Sequence, residues 1–507
     1  MRDFDADVII VGAGPTGLML AGELGLAGVR AIVLDRLAEP MKQSRALGFS
    51  ARAIEEFDQR GLLPRFGGVD TIPFGHFGGL LIDYQVVEGG SYGARGKPQS
   101  LTEEVLAEWA AEQGAVVRRE HEVTGLRSDD DGVELEVVTP AGREHLRARY
   151  VAGCDGARSS VRKLIGVDFP GTDPVIEMWF ADVAGCDLRP RFAGERVPGG
   201  MVMVLPLGPG VNRVVVYERG MTRPGDGAPG FDDVAAAWNR LTGEDISGGK
   251  PLWTSWTTDA SRQAAQYRRG RVFLLGDAAH IHLPVGAQGM SAGIGDAMNL
   301  AWKLAAEIGG RAPADLLDTY HDERHPVAAR ILTNTLAQRI LYLGGDEMDP
   351  MREVMTELLA HEEVQKLLVG MVTGLDIRYD VGPGDHPLLG RRLPNAELTA
   401  GPPHGEGDAF RFLHAGRGVL FDLGGDEKVR DAAGPWTDRI DVVTTASRPD
   451  GALAGVDAAL VRPDGYIAWI GSEGSGPAGL PDALTRWFGL PHDTDLAAPP
   501  AAAGARP

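Results

Sequence analysis

Residues 7–12 read DVIIVG, with four consecutive apolar positions, the pattern of a short strand buried on both faces. After a glycine-rich turn, leucines at 18, 20, 24 and 26 predict a helix. Residues 31–35, AIVLD, then predict a second buried strand ending in an acid. Strand, helix and strand in that order form a βαβ unit, the building block of a parallel sheet. Two later segments, ARYVAGCD (148–155) and GRVFLLGD (270–277), also read as strands ending in Asp. Between them the texture changes. VIEMWFADVAG (175–185), GGMVMVLPLG (199–208) and VNRVVVYERG (211–220) place β-formers between glycine turns and predict an antiparallel sheet. The pattern therefore predicts a discontinuous α/β domain over 1–175 and 266–390, with 70–100 contributing to the side of the inserted sheet, and a β-rich domain over 176–265. Residues 291–346 read as helical, with the longest pattern, 314–343, broken at Pro326.

A shift to Gly and Pro with weak periodicity over 381–408 predicts a linker. Strand-like GVLFDL (418–423), RIDVVTTA (439–446), AALVRP (458–463) and GYIAWI (465–470) follow, then a short helix, enough for a small α/β domain over 391–495. Residues 496–507 are Ala/Pro-rich and are expected to be a disordered tail.

Composition narrows the function classes. A chain of 507 residues with 43% hydrophobic and 24% charged residues has the profile of a multidomain globular protein. Its net charge of −21 argues against nucleic-acid binding, which needs clustered Lys and Arg. Two cysteines, Cys154 and Cys186, are too few for a disulfide framework or a structural zinc site. The N-terminus lacks a signal-peptide pattern, and no apolar run is long enough to span a bilayer, so a cytoplasmic location is expected.

Three motifs carry chemistry. GAGPTG supplies Gly12, Gly14 and Gly17 in the GxGxxG spacing between a strand and a helix, with Asp35 ending the next strand. The glycines allow a tight turn, close approach to a pyrophosphate and close helix packing, while the helix N-terminus attracts phosphate and the acid accepts ribose hydroxyls. DGARSSVR (155–162) is either a cofactor loop or a capped helix start with exposed arginines. GDAAHIHLPVGAQGM (276–290) holds His280 and His282 with Asp277 upstream, which raises a metal site as one reading. No further His/Cys cluster completes a coordination shell, so no metal is expected. Asp277 instead ends a strand where it can accept hydrogen bonds from a polyol, and Gly286 and Gly289 precede a predicted helix whose amides favour an anionic ring.

These motifs, in this order, resemble the class A flavoprotein monooxygenases of the p-hydroxybenzoate hydroxylase type. DAMNLAWKL (296–304) and YHDERHPVA (320–328) fit the same pattern, and the resemblance covers nearly the whole chain. GFSARAIEEFDQRGLLPRF (48–66), GHFGGLLID (75–83) and HIHLPVGAQGM are most similar to the actinobacterial angucyclinone hydroxylases, with anthracycline and tetracycline hydroxylases as less similar neighbours. LVRPDGYIAW (460–469) resembles the thioredoxin-like extension of the larger members, without any CxxC. The resemblance implies a Rossmann-like FAD-binding domain interrupted by a β-rich substrate domain, plus a C-terminal thioredoxin-like domain.

It also implies an FAD-dependent enzyme that uses NADPH and O2 to hydroxylate a phenolic polycyclic polyketide through a C4a-hydroperoxyflavin. Gly12, Gly14, Gly17, Asp35 and Arg36 would hold the ADP half, and Arg45 and Gln99 the pyrophosphate–ribityl region. Asp277 would bind the ribityl chain, and Pro284 with Gly289 would line the isoalloxazine near the oxygen-reaction site. Asp155 and Arg158 match a motif that serves both FAD and NADPH. With no second GxGxxG, NADPH would dock transiently in a shared groove. Arg378, Tyr379 and His76 are the candidates for activating the phenol, Arg378 by stabilising a phenolate. The alternative chemistry on the same cofactor is Baeyer–Villiger-type oxygen insertion or antibiotic inactivation. No membrane partner is expected, and a homodimer is compatible with the sequence.

Overall fold

Val8, Ile9 and Ile10 are fully excluded from solvent because the strand Ala6–Val11 has a parallel neighbour on each side. One neighbour is Ala31–Leu34; the other is the far end of the long strand Gly142–Gly153. Val272–Leu274 and Val116–Arg118 extend the parallel sheet outward at its two sides. A strand apolar on both faces is stable only in such a covered sheet, which is why DVIIVG and AIVLD fold this way. The computed structural model describes residues 4–44, 46–68, 71–87, 93–94, 97–223, 225–400, 406–447, 451–472 and 474–492. The chain divides into two compact units, Met1–Ala305 with Leu317–Ile377, and Ala306–Leu316 with Arg378–Pro507.

Within the first unit, the chain leaves the parallel sheet after Gly153 and returns to it at Val272. The intervening residues build a five-stranded antiparallel sheet in the order 191–197, 200–208, 211–218, 177–184, 250–258. Alternation gives this sheet two faces. Val202, Val204, Val214 and Val216 turn to one side and pack on Trp238 and Leu241 of the helix Phe231–Thr242. Met178, Met201, Val215 and Tyr217 turn to the other and pack on Leu283, Val285 and Tyr342. That second face joins the inserted sheet to the 276–290 loop.

The helix Thr319–Leu343 runs through Pro326 without a break, contrary to the sequence expectation. Proline removes one intrahelical donor and crowds the preceding turn. Here that turn is fixed from outside: Glu323 pairs with Lys303 at 2.8 Å and Arg324 with Asp296 at 2.7 Å, all four buried. Tertiary anchors outweigh the local penalty.

The second unit contains a mixed sheet in the order 406–408, 397–400, 440–447, 418–422, 456–461, 467–472. Gly418–Asp422 runs parallel to Ile440–Ser447 through the helix Glu427–Ala433, and antiparallel to Val456–Val461. The helix Leu480–Phe488 closes this thioredoxin-like arrangement. The expected linker at 381–408 is partly built into the unit. Leu393 and Leu398 are core residues, and Glu397–Ala400 pairs with Ile440–Ser447. Widely spaced leucines among Gly and Pro give no periodicity to read, yet each fills one core position. The expected disordered tail lies outside the described residues.

Candidate functional site

The glycine turn shows why each glycine is there. Gly12 has φ +107°, and a Cβ on it would lie 2.4 Å from the Cys154 carbonyl oxygen. A Cβ on Gly17 would come 2.0 Å from the carbonyl oxygen of Gly12. Gly14 is different, because a Cβ there would meet open space. Gly12 and Gly17 are thus required by the protein's own packing, and Gly14 leaves the backbone open to an outside group. Gly14 is also the N-cap of the helix Pro15–Leu26, with no side chain capping it, so the first amides have no side-chain acceptor. Asp35 closes the cradle, accepting the Ala13 amide at 2.7 Å and the Leu37 amide at 2.8 Å, with Arg119 at 3.7 Å. A bare helix N-terminus beside an anchored carboxylate fits the pyrophosphate and ribose of a dinucleotide. Arg36 is exposed beside it.

The second motif locks onto the first. The Cys154 amide donates to the Val11 carbonyl at 2.8 Å. Asp155 accepts the amides of Ser160 at 2.6 Å and Val161 at 3.1 Å, capping the short helix Ser160–Leu164. Arg158 is exposed. Arg162 points inward over the Phe169 ring and donates to the carbonyls of Ala157 at 2.9 Å and Ala278 at 2.7 Å. Burial lowers the pKa of its guanidinium.

The third motif is held from behind. Thr16, from the first motif, sits so close to Gly276 and Gly293 that a Cβ on either would lie 2.8 and 2.2 Å from its hydroxyl. Asp296, buried on the helix Gln288–Ile308, accepts the Gly276 amide at 3.0 Å, His280 Nε2 at 2.8 Å and Arg324 Nε at 2.7 Å. Despite burial, the cationic Arg324 and the His280 bond hold its carboxyl below the ordinary range. His280 is therefore a tether of the loop. Asp277, its immediate neighbours Gly276 and Ala278 buried, is itself exposed. His282 Nδ1 donates to the Leu283 carbonyl at 2.8 Å, its Nε2 is buried without a partner, and burial lowers its pKa to about 4. Pro284 stands exposed at the tip of a turn closed by the Val285 amide on the Leu283 carbonyl at 2.7 Å. Gly286 at φ +73° and the non-glycine Ala287 at φ +56° then feed the helix that carries Gly289. Such a left-handed alanine is sterically costly and marks a constrained loop.

Gln99 begins the helix Gln99–Glu112 and donates to Glu103 at 2.8 Å, while its amide donates to the Ala46 carbonyl at 3.0 Å. Arg45, the neighbour of Ala46, lies outside the described residues. His76, on the strand Phe74–Phe77, stacks 5.6 Å from Tyr342 and accepts the Gly79 amide at Nδ1. Burial lowers its pKa to about 4, so it is neutral at neutral pH. Arg378 and Tyr379 belong to the second unit and line a cavity of about 330 Å³ with Val381, Gly382 and Leu389. Tyr379 is buried against Tyr466, ring centroids 4.3 Å apart, and beneath Arg462.

The structure thus brings the glycine turn, the 155–162 loop and the 276–290 loop together in the first unit. Asp296, Arg162, Arg324 and Thr16 bind them to one another, and none was a predicted site residue. All four lie inside the quoted motifs, Thr16 in GAGPTG, Arg162 in DGARSSVR, Asp296 at the head of DAMNLAWKL and Arg324 in YHDERHPVA, but no local spacing pointed to the contacts they make.

A parallel α/β fold with a glycine-rich helix N-terminus, an anchored carboxylate and a second, exposed acid, interrupted by an antiparallel sheet, defines a flavoprotein of the aromatic hydroxylase class. Residues 5–335 match the FAD binding domain family and residues 386–491 match the C-terminal domain of the aromatic-ring hydroxylases; the chain belongs to the FAD-dependent aromatic hydroxylases. It is 44% identical over 504 residues to 12-dehydrotetracycline 5-monooxygenase/anhydrotetracycline 6-monooxygenase of Streptomyces rimosus, covering 96% of this chain and 99% of the relative. It is 43% identical to the rifampicin monooxygenase of Streptomyces venezuelae, over 95% and 98% of the two chains. Among solved structures it is similar to CabE, an aromatic hydroxylase from angucycline biosynthesis, with TM-score 0.92 and 54% identity over 96% of this chain and 100% of that one. Among the described residues, no helix is long and apolar enough to cross a membrane.

Proposed function

We propose that the protein hydroxylates a phenolic, polycyclic aromatic polyketide of the angucyclinone type, with NADPH as reductant and O2 as co-substrate. The observation that carries this reading is the apolar wall beside the flavin loop. Met178, Met201, Val215 and Tyr217 face Leu283 and Val285, the residues on either side of Pro284. Beside this packed cluster the partly buried Ile176, Phe180, Met203 and Met221 offer methionine and aromatic surface, which suits a flat apolar polycycle because such side chains adapt to ring faces. The likeness to hydroxylases of angucycline and tetracycline pathways supports the same substrate class.

In this reading Gly12, Gly14, Gly17, Asp35 and Arg36 hold the ADP half of FAD, and Arg45 and Gln99 the pyrophosphate–ribityl region. Asp277 binds the ribityl chain, and Pro284 and Gly289 border the isoalloxazine. Asp155 and Arg158 serve both nucleotides. When bound and reduced, the flavin supplies the activated oxygen; the protein orients the ring and excludes water. Arg378 stabilises the substrate phenolate, and Tyr379 and His76 position the substrate. The domains in this reading are the FAD-binding domain over 1–175 and 266–390, the substrate domain over 176–265 and the thioredoxin-like domain over 391–495, although the compact-unit boundary falls earlier, between Ile377 and Arg378. A homodimer is compatible with this reading.

Incubation with NADPH and a panel of angucyclinone, anthracycline and tetracycline intermediates tests it. An angucyclinone that gains one oxygen on an aromatic ring supports it. Gain of oxygen within a ring, with cleavage or expansion, supports the second reading of Baeyer–Villiger insertion. Turnover of a mature antibiotic, a reading favoured by the 43% identity to rifampicin monooxygenase, would move the protein to resistance.

A further inference from the structure

Three buried amide side chains connect the flavin loop to the hairpin that carries His76. The Gly78 amide donates to Gln338 Oε1 at 3.2 Å, and Gln338 Nε2 donates to Asn334 Oδ1 at 2.9 Å. Asn334 Nδ2 donates to Gln288 Oε1 at 3.0 Å, and Gln288 Nε2 donates to the Val285 carbonyl at 3.3 Å. The exposures of Gln288, Asn334 and Gln338 are 3%, 2% and 0%, so water does not compete for these bonds.

The direction of the chain is fixed from both ends. The Gly78 carbonyl is already taken by Arg352 at 2.7 Å, so Gly78 turns only its N–H to Gln338, which must face it with oxygen. The Val285 amide is already spent on the Leu283 carbonyl, so Val285 turns only its carbonyl to Gln288, which must face it with nitrogen. Each requirement, carried through Asn334, gives the same orientation for all three amides. Flipping any one of them would set donor against donor and acceptor against acceptor. Such a chain is rigid in a way that isolated hydrogen bonds are not, and both of its ends matter. One is two residues from His76; the other is the residue after Pro284, in the turn completed by the left-handed Gly286 and Ala287.

We propose that Gln288, Asn334 and Gln338 act as one directional relay that sets the position of the Pro284 turn from the substrate-side hairpin. Asn334 and Gln338 are then positioning residues for the flavin site, although neither touches the turn itself. The inference rests on the reading that residues 276–290 hold the flavin.

The test is a double-mutant cycle on the purified holoenzyme with Gln288→Met and Gln338→Met, which keep side-chain volume and remove the amides. Two quantities are read, the FAD dissociation constant and hydrogen exchange of the peptide containing Gly78. Gln338→Met should speed exchange at Gly78 and weaken FAD by about three- to tenfold, the scale of one or two lost buried hydrogen bonds. The double variant should bind FAD no more weakly than Gln288→Met alone, because the relay is already cut. Thr335→Ser on the same helix, whose hydroxyl bonds only its own preceding turn, should leave FAD binding unchanged. If Gln288→Met does not fold, Asn334→Leu takes its place in the cycle. Wild-type FAD affinity in Gln338→Met, or losses that simply add, would overturn the relay. Asp277→Ala separates the two levels: if it loses FAD while Gln338→Met does not, only the relay fails; if it keeps FAD, the flavin-loop reading fails.

Discussion

Arg162 donates from Nη1 to the carbonyl oxygen of Ala278 across 2.7 Å, tying the 155–162 loop to the turn that presents Asp277. A buried arginine that donates to two carbonyls and stacks on Phe169 fixes backbone at both ends. Arg162→Met keeps much of the packing and leaves both carbonyls without this donor. The loss expected is about 2–3 kcal/mol of stability, the scale of charge-assisted hydrogen bonds. Urea unfolding of the variant measures it, and a midpoint equal to the wild type would show that the loops do not depend on this residue.

Gly14 and Gly17 separate packing from binding. A Cβ at Gly17 collides with the Gly12 carbonyl, whereas one at Gly14 meets only open space. Gly17→Ala should therefore yield little folded protein. Gly14→Ala should fold with a near-normal thermal midpoint and fail to retain FAD, because the methyl occupies the path of the pyrophosphate. A yellow, flavin-saturated Gly14→Ala would refute that path.

Asp277→Ala should weaken FAD binding by about ten- to a hundredfold, the value of a charge-assisted hydrogen bond to a hydroxyl. Flavin absorbance after gel filtration reports it directly. Full retention would remove Asp277 from the ribityl site.

Asp296→Asn addresses the support behind that site. The substitution leaves the buried Arg324 guanidinium without its carboxylate and should cost about 3–5 kcal/mol. Chemical denaturation is the measurement, and a loss below about 1 kcal/mol, the level of an exposed pair, would contradict the assigned burial of the charge.

Stability should also fall on the acid side. His76 and His282 have native pKa values of about 4 against 6.5 when exposed, both because of burial. Below pH 6.5 the unfolded chain takes up protons that the native state refuses until about pH 4. Their contribution is therefore undiminished above pH 6.5 and is lost progressively as pH falls from 6.5 towards 4. Urea midpoints at neutral and acidic pH should show a smaller difference in His282→Gln than in the wild type.

Local pattern revealed much of the fold and part of the site. GAGPTG is revealed by its spacing and by Gly17 packing on Gly12, whereas DGARSSVR alone reads equally as a capped helix start, and the need for Gly276 comes from the distant Thr16. Asp296 is not revealed by local spacing, since its partners Gly276, His280 and Arg324 are separated from it by 16 to 28 residues. In a helical pattern it reads as an ordinary polar position. The same holds for Asn334 and Gln338, whose role depends on Gly78 and Gln288 at long range. Pro326 misled because the helix break it favours is overruled by buried ion pairs that only the tertiary structure supplies.

The most direct measurement supplies the purified yellow protein with NADPH and an angucyclinone under isotopically heavy oxygen gas, and reads product mass and NADPH consumed. The account predicts one heavy oxygen atom on an aromatic carbon for each NADPH oxidised. Product that takes its new oxygen from water, or no NADPH consumption with any aromatic polyketide, would contradict it.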